Sequence, residues 1–185
     1  NMATMIAVLM TDALVEPQPL DQVLRKVVDK SFHRITVDGD TSTNDSVFAL
    51  ASGATGAFPN DALQSAFESV SRELAKKILR DAEGATKLIH VKVNGAATQA
   101  DALQVAQTIA SSLLVRTSIA GGDPNWGRIL AAAGRSGVAI DPQKFSLRVN
   151  DLLVFADGAP SSTPESPLAA EYQESEIVVA TDLRL

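Results

Sequence analysis

Residues 1–13 read NMATMIAVLMTDA. From Met5 the run is apolar as far as Met10, and Asp12 ends it. The stretch 5–13 therefore predicts a buried strand that opens the fold. The residues ahead of it are less ordinary, because Thr4 follows a small alanine almost at the beginning. Two readings compete. A β-branched threonine suits a strand. Equally, Ala3–Thr4 can be a cut site, and cutting it would make Thr4 an N-terminal nucleophile with its own α-amine as base.

Working outward, EPQPLDQVLRKVVDKSF (16–32) predicts a helix. Pro19 suits its first turn, and Leu20, Val23, Leu24, Val27 and Val28 recur at helical spacing. RITVDGD (34–40) predicts a short strand entering a glycine turn. In the polar loop DTSTND (40–45), Asn44 is placed to cap a helix over DSVFALAS. After a small-residue linker (52–60), residues 61–83 predict a long amphipathic helix with Leu63, Phe67, Val70, Leu74 and Ile78 on its apolar face.

The second half continues the alternation. KLIHVKVNG (87–95) predicts a strand, and Thr98 to Val115 one helix, with Thr98 and Asp101 spaced as a capping box. GGDPNWGR (121–128) is a loop that Trp126 anchors, followed by a short helix, WGRILAAAG (126–134), closed by Gly134. FSLRVNDLLVFADG (145–158) predicts a hairpin turning at Asn150-Asp151, APSSTPESP (159–167) a surface loop, and EIVVATDLRL (176–185) a last strand. Strands alternating with helices give an α/β (α+β) class, mixed sheets packed with helices.

Composition removes several chemistries. There is no cysteine among the 185 residues, so disulfides, thiolate metal sites and cysteine nucleophiles are absent together. His33 and His90 are the only histidines, which argues against a histidine-rich metal site, and both read as packing or surface residues. A net charge of −6 argues against a nucleic-acid surface. No apolar run approaches the roughly 18 to 20 residues of a membrane span. GGDPNWGR lacks the Lys-Ser/Thr ending of a phosphate-binding Walker loop.

Read together, MATMIAVLMTDA (2–13), TVDGDTSTND (36–45) and GGDPNWGRILAAAGR (121–135) resemble the β chain of the ornithine acetyltransferase family, the bifunctional glutamate N-acetyltransferases of arginine biosynthesis. DAEGATK (81–87) and NGAATQADA (94–102) extend the resemblance over nearly the whole chain. It implies a precursor that cuts itself at Ala3–Thr4, so that residues 1–3 are the tail of an α chain and 4–185 a β-chain domain. The freed Thr4 would take an acetyl group from N-acetylornithine and pass it to glutamate, without a cofactor, in a cytoplasmic α2β2 heterotetramer.

The resemblance also implies that Glu83, in a DAEG-like segment, contacts the amino-acid substrate. A carboxylate suits an ammonium group. Asn44 and the hydroxyls around it could face a substrate carboxylate, although capping is the simpler duty. Arg128 could bind a carboxylate, bridge to the partner chain, or serve structure alone. Family members usually continue for a few dozen residues beyond the equivalent of Leu185, and an asparagine and a threonine there help bind substrate. The oxyanion hole, a Thr-Gly pair, and a substrate lysine would lie on the α chain. The apolar strand after Thr4 (Met5, Ile6, Val8, Leu9) should then need a partner surface to cover it. Two rivals keep the same residues: a self-processing threonine amidohydrolase, in which water takes the acyl group, and a non-catalytic assembly subunit in which Thr4 stays uncut.

Overall fold

The apolar run after Thr4 forms strand β1 (Ile6–Thr11), and it is only half buried. Ala7 and Leu9 point inward, whereas Ile6, Val8 and Met10 are exposed. The computed structural model describes residues 4–185, so the predicted cut at Ala3 and the tail 1–3 lie outside the described residues. Helix α1 (Pro17–Asp29) follows, with proline in the first turn and Val23 and Val27 buried.

Residues 34–40 do not form the expected strand. Phe32–Arg34 is a single 3-10 turn, and the chain then bends through Gly39 at φ 93°. The strand that pairs with β1 is instead β2 (Ser46–Ala51), where a helix capped by Asn44 was expected. The two run parallel, with Ile6 opposite Ser46 and Thr11 opposite Ala51. Six residues without a charge, including Val47 and Phe48, suit strand and helix alike. The ladder offered by β1 decides between them.

Helix α2 (Asn60–Arg80) ends three residues before Glu83. Leu63, Phe67, Ser71 and Ala75 are its buried residues, and Val70, expected on that face, is exposed. The buried positions recur every fourth residue, and Val70 falls a full residue off that line. Leu9 packs with Val23, Val27, Leu63 and Phe67. Ala7 packs with Phe32 and Ala75, and Met5, Ile35 and Ile78 lie against that group. Both helices thus cover one face of the β1–β2 sheet. This first compact unit runs to Glu83.

The second unit, Gly84–Leu185, is built on a five-stranded sheet. Its strands are β3 (Leu88–Asn94), β4 (Ser146–Val149), β5 (Leu152–Ala156), the two-residue β6 (Ala159–Pro160) and β7 (Glu176–Asp182). They lie in the order β3-β7-β4-β5-β6, so the last strand in sequence is interior, parallel to β3 and antiparallel to β4. The hairpin turns at Asn150-Asp151 as expected, with Asn150 at φ 49°. Asn150 also links to β7: its Oδ1 accepts the Val178 N–H at 2.7 Å, and its own N–H donates to the Val178 carbonyl at 2.7 Å.

The single helix expected over 98–115 is two, α3 (Gln99–Ala110) and α4 (Leu113–Ala120). Thr98 caps α3 as its spacing predicts, accepting the Asp101 N–H at 3.1 Å. The break falls at Ser111-Ser112. Ser111 Oγ donates back to the Gln107 carbonyl at 2.7 Å, and Arg116 Nε donates to the last α3 carbonyl, that of Ala110, at 2.7 Å. Serine competes with the helical ladder: the Gln107 carbonyl takes the Ser111 hydroxyl beside the Ser111 N–H at 2.9 Å, and Arg116 satisfies the Ala110 carbonyl that the ladder gives up.

Helix α5 (Gly127–Gly134) buries Ile129, Ala132 and Ala133. The loop expected at 159–167 contains β6 and the start of a helix, α6 (Glu165–Glu171). Its serines and prolines read as a loop, but Pro164 and Pro167 sit at or within the helix start, where a missing N–H costs nothing. Leu168 and Tyr172 then seat it on the core. That core joins Val105, Ile109, Ile119 and Ile129 to Leu147, Val149, Ile177 and Val179 of the sheet.

Candidate active site

Thr4 is exposed and lies just ahead of the first sheet residue. The chain at this point is held from both sides of Met5. The Ser46 N–H donates to the Met5 carbonyl at 2.9 Å. The Met5 N–H donates to Oδ1 of Asp45 at 2.8 Å. The second bond replaces a backbone rung. Beyond Ser46 the chain turns away from the sheet, and the Asn44 carbonyl accepts from Ser46 Oγ at 3.2 Å instead. The Asp45 side chain reaches back to take the N–H that the ladder would otherwise leave open.

The polar run 40–45 is therefore a turn built at the threonine end of β1. The Asp40 N–H donates to Asp38 Oδ1 at 2.9 Å, and the Asn44 N–H to Ser42 Oγ at 3.2 Å. Asn44 is exposed beside this turn. The fold thus brings together Thr4 and the TSTND segment, which are 40 residues apart. Asp45 is a residue that sequence reading passed over. Its signal is its place directly before a strand-like run, where a side chain can supply one more rung.

Glu83 is exposed in the turn after α2. Ile78, five residues earlier, packs in the same group as Met5. The C-terminal end of α2 therefore lies at the Thr4 end of β1 within the first unit.

Arg128 belongs to the second unit, and its guanidinium is engaged there. Nη1 donates to the Leu114 carbonyl and to Thr117 Oγ1, both at 3.2 Å, and Nη2 lies 3.6 Å from Asp123 Oδ2. It ties α5 to α4 and to the preceding loop. Trp126 packs on the core with its ring centroid 6.0 Å from that of Phe155, so the indole anchors this loop as expected. Residues 123–127, with Thr163, Glu165 and Leu168, line a cleft of about 460 Å³. His33 Nδ1 lies 2.9 Å from Asp29 and His90 Nε2 3.4 Å from Glu176. Among the described residues no cluster of three His, Cys, Asp or Glu side chains could hold a metal ion. Nor is any helix among them long and apolar enough to cross a membrane.

With this geometry in view, comparison with known proteins is decisive. The model of the ArgJ family matches residues 1–185. The chain belongs to the ArgJ family. It is 46% identical over 190 residues to the arginine biosynthesis bifunctional protein ArgJ of Symbiobacterium thermophilum, covering 99% of this chain and 47% of that one. It is 43% identical over 194 residues to a glutamate N-acetyltransferase of Methanocaldococcus jannaschii, again covering 99% of this chain and 48% of the other. The chain spans about half the length of these curated relatives. The crystal structure of ArgJ from Bacillus halodurans superposes with a TM-score of 0.92 at 36% identity, covering 98% of this chain and 89% of that one. The mixed α+β architecture is thus that of an ArgJ structure.

Proposed function

We propose that this ArgJ-family chain is the nucleophile-bearing half of an acetyltransferase of arginine biosynthesis, with Thr4 freed by cleavage after Ala3. One observation carries the reading: the threonine of the MATM segment stands exposed two residues ahead of strand β1, joined to it through Met5, whose N–H and carbonyl are both pinned. A terminal residue on such a base keeps its position when the preceding bond is cut.

The chemistry follows from the residue. A threonine hydroxyl needs a base at neutral pH. A free α-amine, with a reference pKa of about 7.7 to 8.0, is partly neutral there. Thr4 Oγ1 attacks the acetyl carbonyl of N-acetylornithine, and the hydroxyl proton passes to the α-amine. The C–N bond breaks, ornithine leaves with that proton, and an acetyl ester remains on Thr4. The glutamate amine then attacks the ester, giving N-acetylglutamate and regenerating the hydroxyl. Glu83 would pair with a substrate ammonium group, and Asn44 and the hydroxyls of Thr41, Ser42 and Thr43 would face a carboxylate. No cofactor enters either step.

The oxyanion donors would come from the half of the family's length that this chain does not span. The outer face of β1–β2 supports a seat for that half. Ile6, Val8, Met10, Phe48 and Leu50 share this face and are 45–75% exposed. Parallel sheets are ordinarily covered on both faces. In an α2β2 cytoplasmic assembly this face would be the α-chain contact.

The test is mass spectrometry on the processed complex after incubation with N-acetylornithine. One acetyl group is expected on the peptide beginning at Thr4. Acetyl only elsewhere would sink the mechanism.

A further inference from the structure

The reading of Thr4 as nucleophile leaves open what holds it in place once the Ala3–Thr4 bond is cut. After cleavage Thr4 is covalently attached through one peptide bond only. That bond is planar, and its six atoms include the Thr4 Cα, carbonyl carbon and oxygen together with the Met5 nitrogen and hydrogen. Whatever fixes the Met5 N–H therefore fixes the Thr4 Cα as well. In this chain the N–H is held by Oδ1 of Asp45 at 2.8 Å.

We infer that Asp45 is the positioning residue of the threonine nucleophile. Its carboxylate oxygen accepts the Met5 N–H and thereby orients the Thr4–Met5 peptide against β2. Resting on the proposed role of Thr4, this assigns to the TSTND segment a task that neither capping nor substrate contact covers. The lower side of the clamp is backbone, Ser46 N–H to the Met5 carbonyl at 2.9 Å, and any residue at 46 except proline supplies it. The upper side depends on one side chain. The neighbouring carbonyl, that of Asn44, is turned to Ser46 Oγ. Asp45 is exposed in this chain, so core packing does not explain its reach to Met5.

What matters at residue 45 is an acceptor oxygen at this distance from the backbone. Asparagine provides one, alanine does not, and glutamate places it one methylene too far. The experiment expresses the full-length precursor as wild type, Asp45→Asn, Asp45→Ala and Asp45→Glu. On the cleaved fraction of each, the first-order rate of acetyl appearance on the Thr4 peptide is followed against N-acetylornithine concentration. A misplacement of about 1 Å can cost on the order of a hundredfold in rate. Asp45→Ala is therefore expected to lose roughly 10- to 100-fold in the limiting acylation rate. The substrate concentration giving half that rate should stay within about threefold, because binding groups are untouched. Asp45→Asn should recover most of the loss and Asp45→Glu little of it, an order that a general loss of stability does not produce. Should Asp45→Ala fail to fold, the ranking of Asn over Glu still decides. An unchanged rate in Asp45→Ala, or Asn and Glu equally slow, overturns the assignment while leaving Thr4 as nucleophile. A wild-type Thr4 peptide without acetyl overturns both.

Discussion

Two residues illustrate how differently a single side chain can bear on this protein. Glu83 is exposed in a turn, so its removal should scarcely touch folding. For Glu83→Gln a stability change within about 0.5 kcal/mol is expected from thermal melts. If its carboxylate pairs with a substrate ammonium group, the same change should cost about 1.5 to 3 kcal/mol in kcat/KM, the worth of a charge-assisted bond. A large melting loss with unchanged kinetics would make it structural. Tyr172 is the opposite case. It is fully buried, and among the described residues its hydroxyl has no hydrogen-bond partner. Burial, with a smaller push from the Asp123 carboxylate, raises its phenol to about 12. The unfolded phenol titrates near 10. The stability that the neutral phenol contributes is therefore fully present below pH 10. It is lost as pH climbs from about 10 to 12, because the unfolded chain sheds its proton first. The loss amounts to roughly 2 to 3 kcal/mol. Urea melts from pH 9 to 12 should show Tyr172→Phe losing less stability than wild type over that window. Parallel curves would refute the shift.

At the scale of elements, α2 carries a polar residue on its buried line. Ser71 is fully buried, and its hydroxyl has no partner among the described residues. Alanine is the better helix former and leaves no hydroxyl to satisfy. Ser71→Ala is expected to raise unfolding stability by about 0.5 to 1 kcal/mol. A loss of more than about 1 kcal/mol would mean that the hydroxyl finds a partner. The α3–α4 break has the reverse logic, since there the polar groups are paired. Arg116 satisfies the Ala110 carbonyl that a continuous helix would have used, while the Ser111 hydroxyl adds a second donor to Gln107, and so the chain turns where apolar periodicity alone runs straight on.

For the whole molecule, the exposed apolar face of β1–β2 is the feature that a stand-alone chain explains least. Contiguous apolar surface of this kind marks an interaction site or an aggregation hazard. Phe48 lies opposite Val8 and is 52% exposed. Phe48→Glu should leave the melting temperature of the isolated chain within a few degrees, since Phe48 lies outside the packed groups of the first unit. It should also reduce that chain's self-association and abolish copurification with the remaining half of the precursor. Sedimentation of the chain alone and pull-down of a tagged complementary half read these outcomes. Unimpaired assembly would place the contact elsewhere.

Local pattern by itself determined much of this protein. The apolar run from Met5, the helical spacing of α1 and α2, the capping pair Thr98 and Asp101, and the Asn150-Asp151 hairpin all rest on neighbours in sequence. All appear where the residues put them, except that Val70 of α2 faces solvent. The motifs around Thr4, Asp45 and Trp126 were long enough to carry the family. Pairing was not legible. Residues 34–40 and 46–51 are both short enough to serve as strands, and only the ladder with β1 selects the second. The interior place of β7 comes from partners thirty or more residues away along the chain. Burial also escaped local reading, since an apolar run does not say which of its alternate side chains a helix will cover. The bond from Met5 to Asp45 joins residues 40 apart in sequence. No periodicity encodes such a contact, because it exists only once β1 and β2 have come into register.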